Sequence, residues 1–203
     1  TVKVIWLHGL AGSGQEWMNL PDALHVPWVK FVFPTAAEDS LDLWDEKHVT
    51  SWFDISLASY KIHCNAINAL PNVLDLIQKE IQAGIPPERI VVGGFSQGAA
   101  IALSAALTSN HKLGGVIQLS PWQLPSISRL SPHWREEEVQ DGKLPLLFCH
   151  GSDDEVVLPS FARQMIANSV FSDFTQVSEH EYQGLGHGLC SDELQAVRSF
   201  LVH

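Results

Sequence analysis

Ser96 stands in Gly94-Phe95-Ser96-Gln97-Gly98, after the apolar run Ile90-Val91-Val92-Gly93 and before a stretch of small residues. Strand, glycine-flanked serine and helix, in that order, are the context of a G-x-S-x-G nucleophile elbow. The turn holds the serine in a strained backbone conformation with its hydroxyl exposed. Side chains at 94 and 98 would collide with the turn and the adjoining strand.

A serine hydroxyl attacks a carbonyl at neutral pH only with an adjacent base. In hydrolases built on this elbow the partners follow in the order Ser, acid, His. Histidines 111, 133, 150, 180, 187 and 203 follow Ser96. His187, in Gly184-Leu185-Gly186-His187-Gly188, lies on a flexible loop between the last strand and the last helix, and such a loop reaches the elbow. His180 falls inside a strand pattern and His203 is terminal. For the acid, Asp153, Asp154 and Glu155 follow a strand pattern at 144–149, and spacing alone does not choose among them. Asp173 is a weaker rival, and Asp192 comes after His187. The oxyanion hole needs backbone N–H groups. One is that of Gln97, next to the nucleophile. His8-Gly9-Leu10, after the first strand, nominates Leu10 for the other.

Elements must place these groups together. Apolar runs at 2–7, 29–33, 90–93, 115–119 and 144–149, with a half-alternating run at 174–182, read as strands. Helical spacing marks 16–24, 72–81, 97–107, 160–171 and 191–202. Pro71 marks a first turn or kinks a longer helix beginning near Ile62. Residues 35–51 lack clear periodicity and read as a long loop, the kind that covers or binds something. Repeated β-α units with continuously apolar strands imply an α/β fold: a mostly parallel central sheet with helices on both faces. The 203 residues form one domain, with no internal repeat or linker. Arg135-Glu136-Glu137-Glu138 reads as a solvated face.

Hydrophobic residues make up 45% of the chain, and the formal net charge is −11. The charge disfavours nucleic acid and steady binding to anionic lipid. No apolar run spans a membrane. Cys64, Cys149 and Cys190 lack metal-like spacing and read as buried thiols of a reducing compartment, so the expected location is the cytoplasm. No secretory signal or lipidation motif is present; the first residue, Thr1 rather than Met, suggests a trimmed segment.

Taken together, Val4-Ile5-Trp6-Leu7-His8-Gly9-Leu10, Ser51-Trp52-Phe53-Asp54, the elbow, His150-Gly151 with Asp154, and Gly186-His187 resemble the acyl-protein thioesterase/lysophospholipase (carboxylesterase) family of α/β-hydrolases. The likeness runs from about residue 3 to 202 and is strongest between Gly84 and Thr108. It implies that the acid is Asp154, four residues after His150, with Asp153 a bystander. It implies the roles of nucleophile for Ser96, base for His187 and oxyanion donors for Leu10 and Gln97. Trp52 and Phe53 would lie near the substrate groove; packing with a capping Asp54 is the alternative. Ala99 replaces a glycine often found in the family, and residues 35–50 match it poorly.

The resemblance implies a serine hydrolase that cleaves thioesters or carboxylic esters through an acyl-enzyme, with no metal or cofactor. The expected substrate is an S-acylated (palmitoylated) protein, contact with membrane is at most transient, and the protein is a monomer or weak homodimer. Leu41, Leu43, Trp44, Trp52, Phe53, Trp122 and Leu124 would flank an acyl channel, unless they are core residues under a loop. The alternatives are an esterase with a narrow pocket for small molecules or lysophospholipid, a non-catalytic receptor on the same fold, and a scaffold with an apolar docking face.

Overall fold

The computed structural model describes residues 1–39, 48–53, 55–56, 61–62, 66–122, 144–161 and 176–202. Trp44, Leu124, Leu41, Leu43, Asp54, Cys64, Asp173, the run 135–138 and most of the helix expected at 160–171 lie outside them.

Six strands form one sheet: β1 (Lys3–Leu7), β2 (Lys30–Val32), β7 (Ile90–Phe95), β8 (Gly115–Leu119), β9 (Pro145–Gly151) and β10 (Gln176–Tyr182). Their order is β10-β9-β8-β7-β1-β2, and every neighbouring pair is parallel. Within the expected loop, β3 (Glu38–Asp39) pairs antiparallel with β4 (Val49–Thr50). A second short pair joins β5 (Ile55–Ser56) to β6 (Lys61–Ile62).

The apolar strands are buried on both faces, and their side chains alternate between two cores. Ile5, Leu7, Val116, Leu146 and Phe148 face one core together with Val73, Ile77, Ile101 and Leu103. Val4, Trp6, Ile117, Leu147 and Cys149 face the other with Leu20, Leu24, Val197 and Leu201. Helices α2 (Ala66–Gln82) and α3 (Gln97–Thr108) cover the first face; α1 (Leu20–Ala23) and α4 (Ser191–Val202) cover the second. This is the doubly covered parallel sheet that the strand composition predicts.

The helix expected at 72–81 is longer, because Pro71 lies inside α2 on its exposed side. The 16–24 segment divides into a 3₁₀ turn at Gly14–Trp17 and the single turn of α1, interrupted before Pro21. All residues of α3 from Gln97 to Leu107 are buried. A helix buried all round needs small side chains to approach the sheet, and five alanines and Gly98 supply them. Among the described residues no helix is long and apolar enough to cross a membrane.

Strand order places the site. After β1 the chain moves outward to β2; after β7 it moves the opposite way, through α3 to β8. The carboxyl ends of β1 and β7 therefore flank a point where the connections diverge and leave a crevice, the usual ligand position in open α/β sheets. The loop carrying Leu10 leaves β1 there, and Ser96 follows β7 directly.

Candidate active site

Ser96 occupies the sharp turn between β7 and α3, with φ 55° and ψ −118°. A positive φ on a residue with a Cβ is strained, at a cost of order 1–3 kcal/mol, and persists only where the surroundings over-determine it. Here Ser96 N–H donates to Leu119 O at 2.8 Å, while Ser96 O accepts from Trp122 N–H at 3.2 Å and Ala100 N–H at 3.3 Å. A Cβ on Gly94 would collide with Leu7 O, and one on Gly98 with the carbonyls of Leu7 and His8. Both glycines thus let the elbow press against the end of β1.

His187 reaches Ser96 from the loop between β10 and α4. Its Nε2 lies 3.0 Å from Ser96 Oγ, and its Nδ1 lies 2.8 Å from Asp154 Oδ2. The carboxylate accepts only, so Nδ1 carries the proton, and in the neutral ring Nε2 is left free to accept from the Ser96 hydroxyl. The Phe95 ring packs against the imidazole, with centroids 4.7 Å apart.

Asp154 follows β9, and its side chain is fully buried. Its second oxygen, Oδ1, accepts from Val156 N–H at 2.9 Å and Val157 N–H at 2.8 Å. The two loops are stitched together. Ser152 N–H donates to Tyr182 O, Asp153 N–H to Leu185 O and Gly184 N–H to Ser152 Oγ, all within 3.0 Å. Gly151 permits this closeness, since a Cβ there would meet Leu185 O. Geometry therefore separates the three carboxylates left open by spacing. Asp153 is exposed and takes the Ser152 hydroxyl at 2.6 Å, Glu155 is exposed, and Asp154 faces His187.

The remaining expected residues fall in different places. Gln97 opens α3, so its N–H has no intrahelical acceptor. Leu10 lies on the turn after β1, between Gly9 and the Ala11 N–H that donates to Thr50 O. Trp122 packs partly buried beside the backbone of Ser96. Trp52 and Phe53 are buried in the core, 4% and 2% exposed. Trp44 and Leu124 lie outside the described residues.

Two buried polar struts support the site, and the side chain of Gln97 is the one that the sequence reading misses. The Gln97 side chain accepts from Trp52 N–H at 2.8 Å, donates to Ser51 Oγ at 2.9 Å and donates to Phe53 O. It clamps residues 51–53 against the elbow. His8 accepts from Ala36 N–H at Nε2, 3.0 Å away, and donates from Nδ1 to Gly9 O at 2.6 Å. Burial holds its pKa below the usual imidazole range, although the Gly9 carbonyl opposes the shift. His8 is thus a neutral brace; its carbonyl also accepts from Trp52 Nε1 at 2.8 Å. The available signal is a glutamine opening a helix whose other residues are small or apolar apart from Ser104 and Thr108. Among the described residues, no three His, Cys, Asp or Glu side chains cluster to hold a metal ion.

The phospholipase/carboxylesterase family model matches residues 1–203. The chain belongs to this family. An acyl-protein thioesterase 1 of Yarrowia lipolytica is 33% identical over 215 residues, covering 99% of this chain and 91% of its own. Another, of Neurospora crassa, is 32% identical over 221 residues, covering 99% and 86%. The crystal structure of Zea mays acyl-protein thioesterase 2 superposes with a TM-score of 0.86 at 29% identity, covering 100% of this chain and 93% of that one. Arabidopsis thaliana SOBER1 gives 0.87 at 27%, covering 99% and 97%. The fold is that of an α/β-hydrolase, and the family is the one that the motifs resemble.

Proposed function

We propose that the protein is a serine hydrolase that cleaves thioester or carboxylic ester bonds, with S-acylated proteins as its substrates. The observation that carries this reading is the unbroken line of contacts from Ser96 Oγ through the His187 ring to Asp154 Oδ2, at 3.0 and 2.8 Å.

In this mechanism His187 Nε2 takes the Ser96 proton as Oγ adds to the acyl carbonyl. Asp154 holds the ring and stabilises the imidazolium that forms. The N–H groups of Leu10 and Gln97 receive the charge that develops on the carbonyl oxygen. The imidazolium then protonates the departing thiolate or alkoxide. Water, activated by the same ring, releases the acid from Ser96. The acylated-protein substrate follows from the relatives, which bear the name acyl-protein thioesterase. Trp122, beside Ser96, would border the acyl group.

A second reading, an esterase with a narrow pocket for short acyl groups, is favoured by one observation. Trp52 and Phe53 point into the core, which removes two apolar walls from an acyl channel. A series of esters and thioesters from two to sixteen carbons separates the readings. Each methylene buried in a channel contributes up to about 0.8 kcal/mol. The thioesterase reading requires kcat/KM to rise from acetyl to at least octanoyl and thioesters to be turned over. Best activity on acetyl esters, with longer chains rejected, would give the second reading instead.

A further inference from the structure

Asp154 lies between two imidazoles, and the proposed mechanism uses one of them. His150, the penultimate residue of β9, is 3% exposed. Its Nε2 lies 2.8 Å from Val157 O and 3.4 Å from Asp154 Oδ2, the oxygen that holds His187. The Val157 carbonyl only accepts, so the His150 proton is on Nε2 and is given to Val157 O, with the carboxylate oxygen 3.4 Å from the same nitrogen. Its Nδ1 is buried and has no hydrogen-bond partner among the described residues.

Val157 is therefore gripped from both sides. Its N–H donates to Asp154 Oδ1, and its carbonyl accepts from His150. A turn so held fixes the plane of the carboxylate, and with it the direction from which Oδ2 meets His187. The Phe148 ring lies nearly parallel to the His150 ring, at 15°, with centroids 6.4 Å apart.

We infer that His150 is a positioning residue: its Nε2–H anchors the turn that presents Asp154, and its ring sets the positive end of a neutral N–H dipole 3.4 Å from the oxygen that orients His187. The inference rests on the proposed roles of Asp154 and His187. The charged and titratable groups facing His150 are Asp154, His187 and, on the adjacent strand, Glu181. Burial outweighs the Val157 carbonyl and the two carboxylates and holds the His150 pKa below the usual imidazole range. Neutrality matters, because a cation here would compete with His187 for Asp154. A neutral dipole instead restrains the pull of Asp154 on the His187 proton.

The test pairs His150→Phe, which keeps a flat ring and removes the donor, with His150→Gln, whose side-chain N–H substitutes for Nε2–H. The readout is kcat, KM and the acid limb of kcat/KM on an acyl ester, with Asp154→Asn alongside. His150→Phe is expected to lower kcat about tenfold with KM within about twofold. Removing the dipole makes Oδ2 a stronger acceptor for His187, so the acid limb moves to higher pH, by about half a unit. His150→Gln is expected to restore the limb and most of the rate. If His150→Phe does not fold, His150→Gln still has to keep the wild-type limb, and His150→Leu replaces Phe. A rate that falls with an unmoved limb, or a limb that Gln fails to restore, overturns the inference. An Asp154→Asn enzyme as fast as wild type would instead overturn the proposed mechanism beneath it.

Discussion

His187 Nε2 stands 3.0 Å from Ser96 Oγ across 91 residues of chain. Neither residue is near the other in sequence; the meeting is a product of strand order. Ser96 leaves the carboxyl end of β7, and His187 leaves the loop after β10, three strands away. The intervening β9 loop carries Asp154 and is bonded to the His187 loop at three points. The site is therefore as rigid as the sheet edges that feed it.

Asp154→Asn is expected to lower kcat by about three to four orders of magnitude, because an amide at Oδ2 selects the wrong imidazole tautomer. Asp153→Asn should leave kcat within about twofold, since that carboxylate is exposed and, among the described residues, its side chain bonds only to Ser152 Oγ. Steady-state kinetics of both variants on one ester decides the matter. Equal losses contradict the assignment of Asp154.

Gln97→Ala leaves the backbone N–H of residue 97 in place but strands Trp52 N–H in the core, while Ser51 Oγ and Phe53 O keep their mutual hydrogen bond at 2.7 Å. An unpaired buried polar group costs about 1–3 kcal/mol, so a loss of about 1–3 kcal/mol in unfolding free energy is expected. Denaturant titration measures it. A loss below about 0.5 kcal/mol means that the clamp on residues 51–53 contributes nothing.

Glu193, in the first turn of α4, is completely buried, and among the described residues neither carboxylate oxygen makes a hydrogen bond of good geometry. Burial pushes its pKa up to about 7 from 4.5, against a smaller opposing effect of the Cys190 backbone. The folded state thus holds a proton that the unfolded chain has lost. Stability from this group is complete below about pH 4.5, declines as pH rises towards 7, and is flat above. Glu193→Gln removes that decline. Relative to wild type, the variant should gain up to about 3 kcal/mol between pH 4.5 and 8. Melting temperatures measured across that range show it; a difference that does not change with pH contradicts it.

Much of this arrangement is legible in the sequence. Continuous apolar strands gave the parallel sheet, because only a sheet covered on both faces buries Val4, Ile5, Trp6 and Leu7 in succession. The glycine-flanked turn nominates Ser96, and chain order together with the glycine-rich loop at 184–188 nominates His187. Spacing could not separate Asp153 from Asp154, because the choice depends on which side chain a turn sends inward, and Val156 and Val157 N–H groups make it. Trp52 and Phe53 were ambiguous for a similar reason: an apolar residue in a loop reads alike whether it lines a channel or fills a core. The burial of Gln97 is hidden because its partners, two backbone groups and the Ser51 hydroxyl, lie 44 to 46 residues away.

The proposed reaction rests on Ser96 as the attacking atom, and covalent labelling tests this most directly. The protein is treated with a serine-directed fluorophosphonate and its mass and peptide map are recorded, with Ser96→Ala in parallel. The account predicts one adduct per chain, on Ser96, none on the variant, and a fall in the variant's kcat of at least about a thousandfold. A variant that is still labelled, an adduct on another residue, or hydrolysis that survives the loss of Ser96 would contradict it.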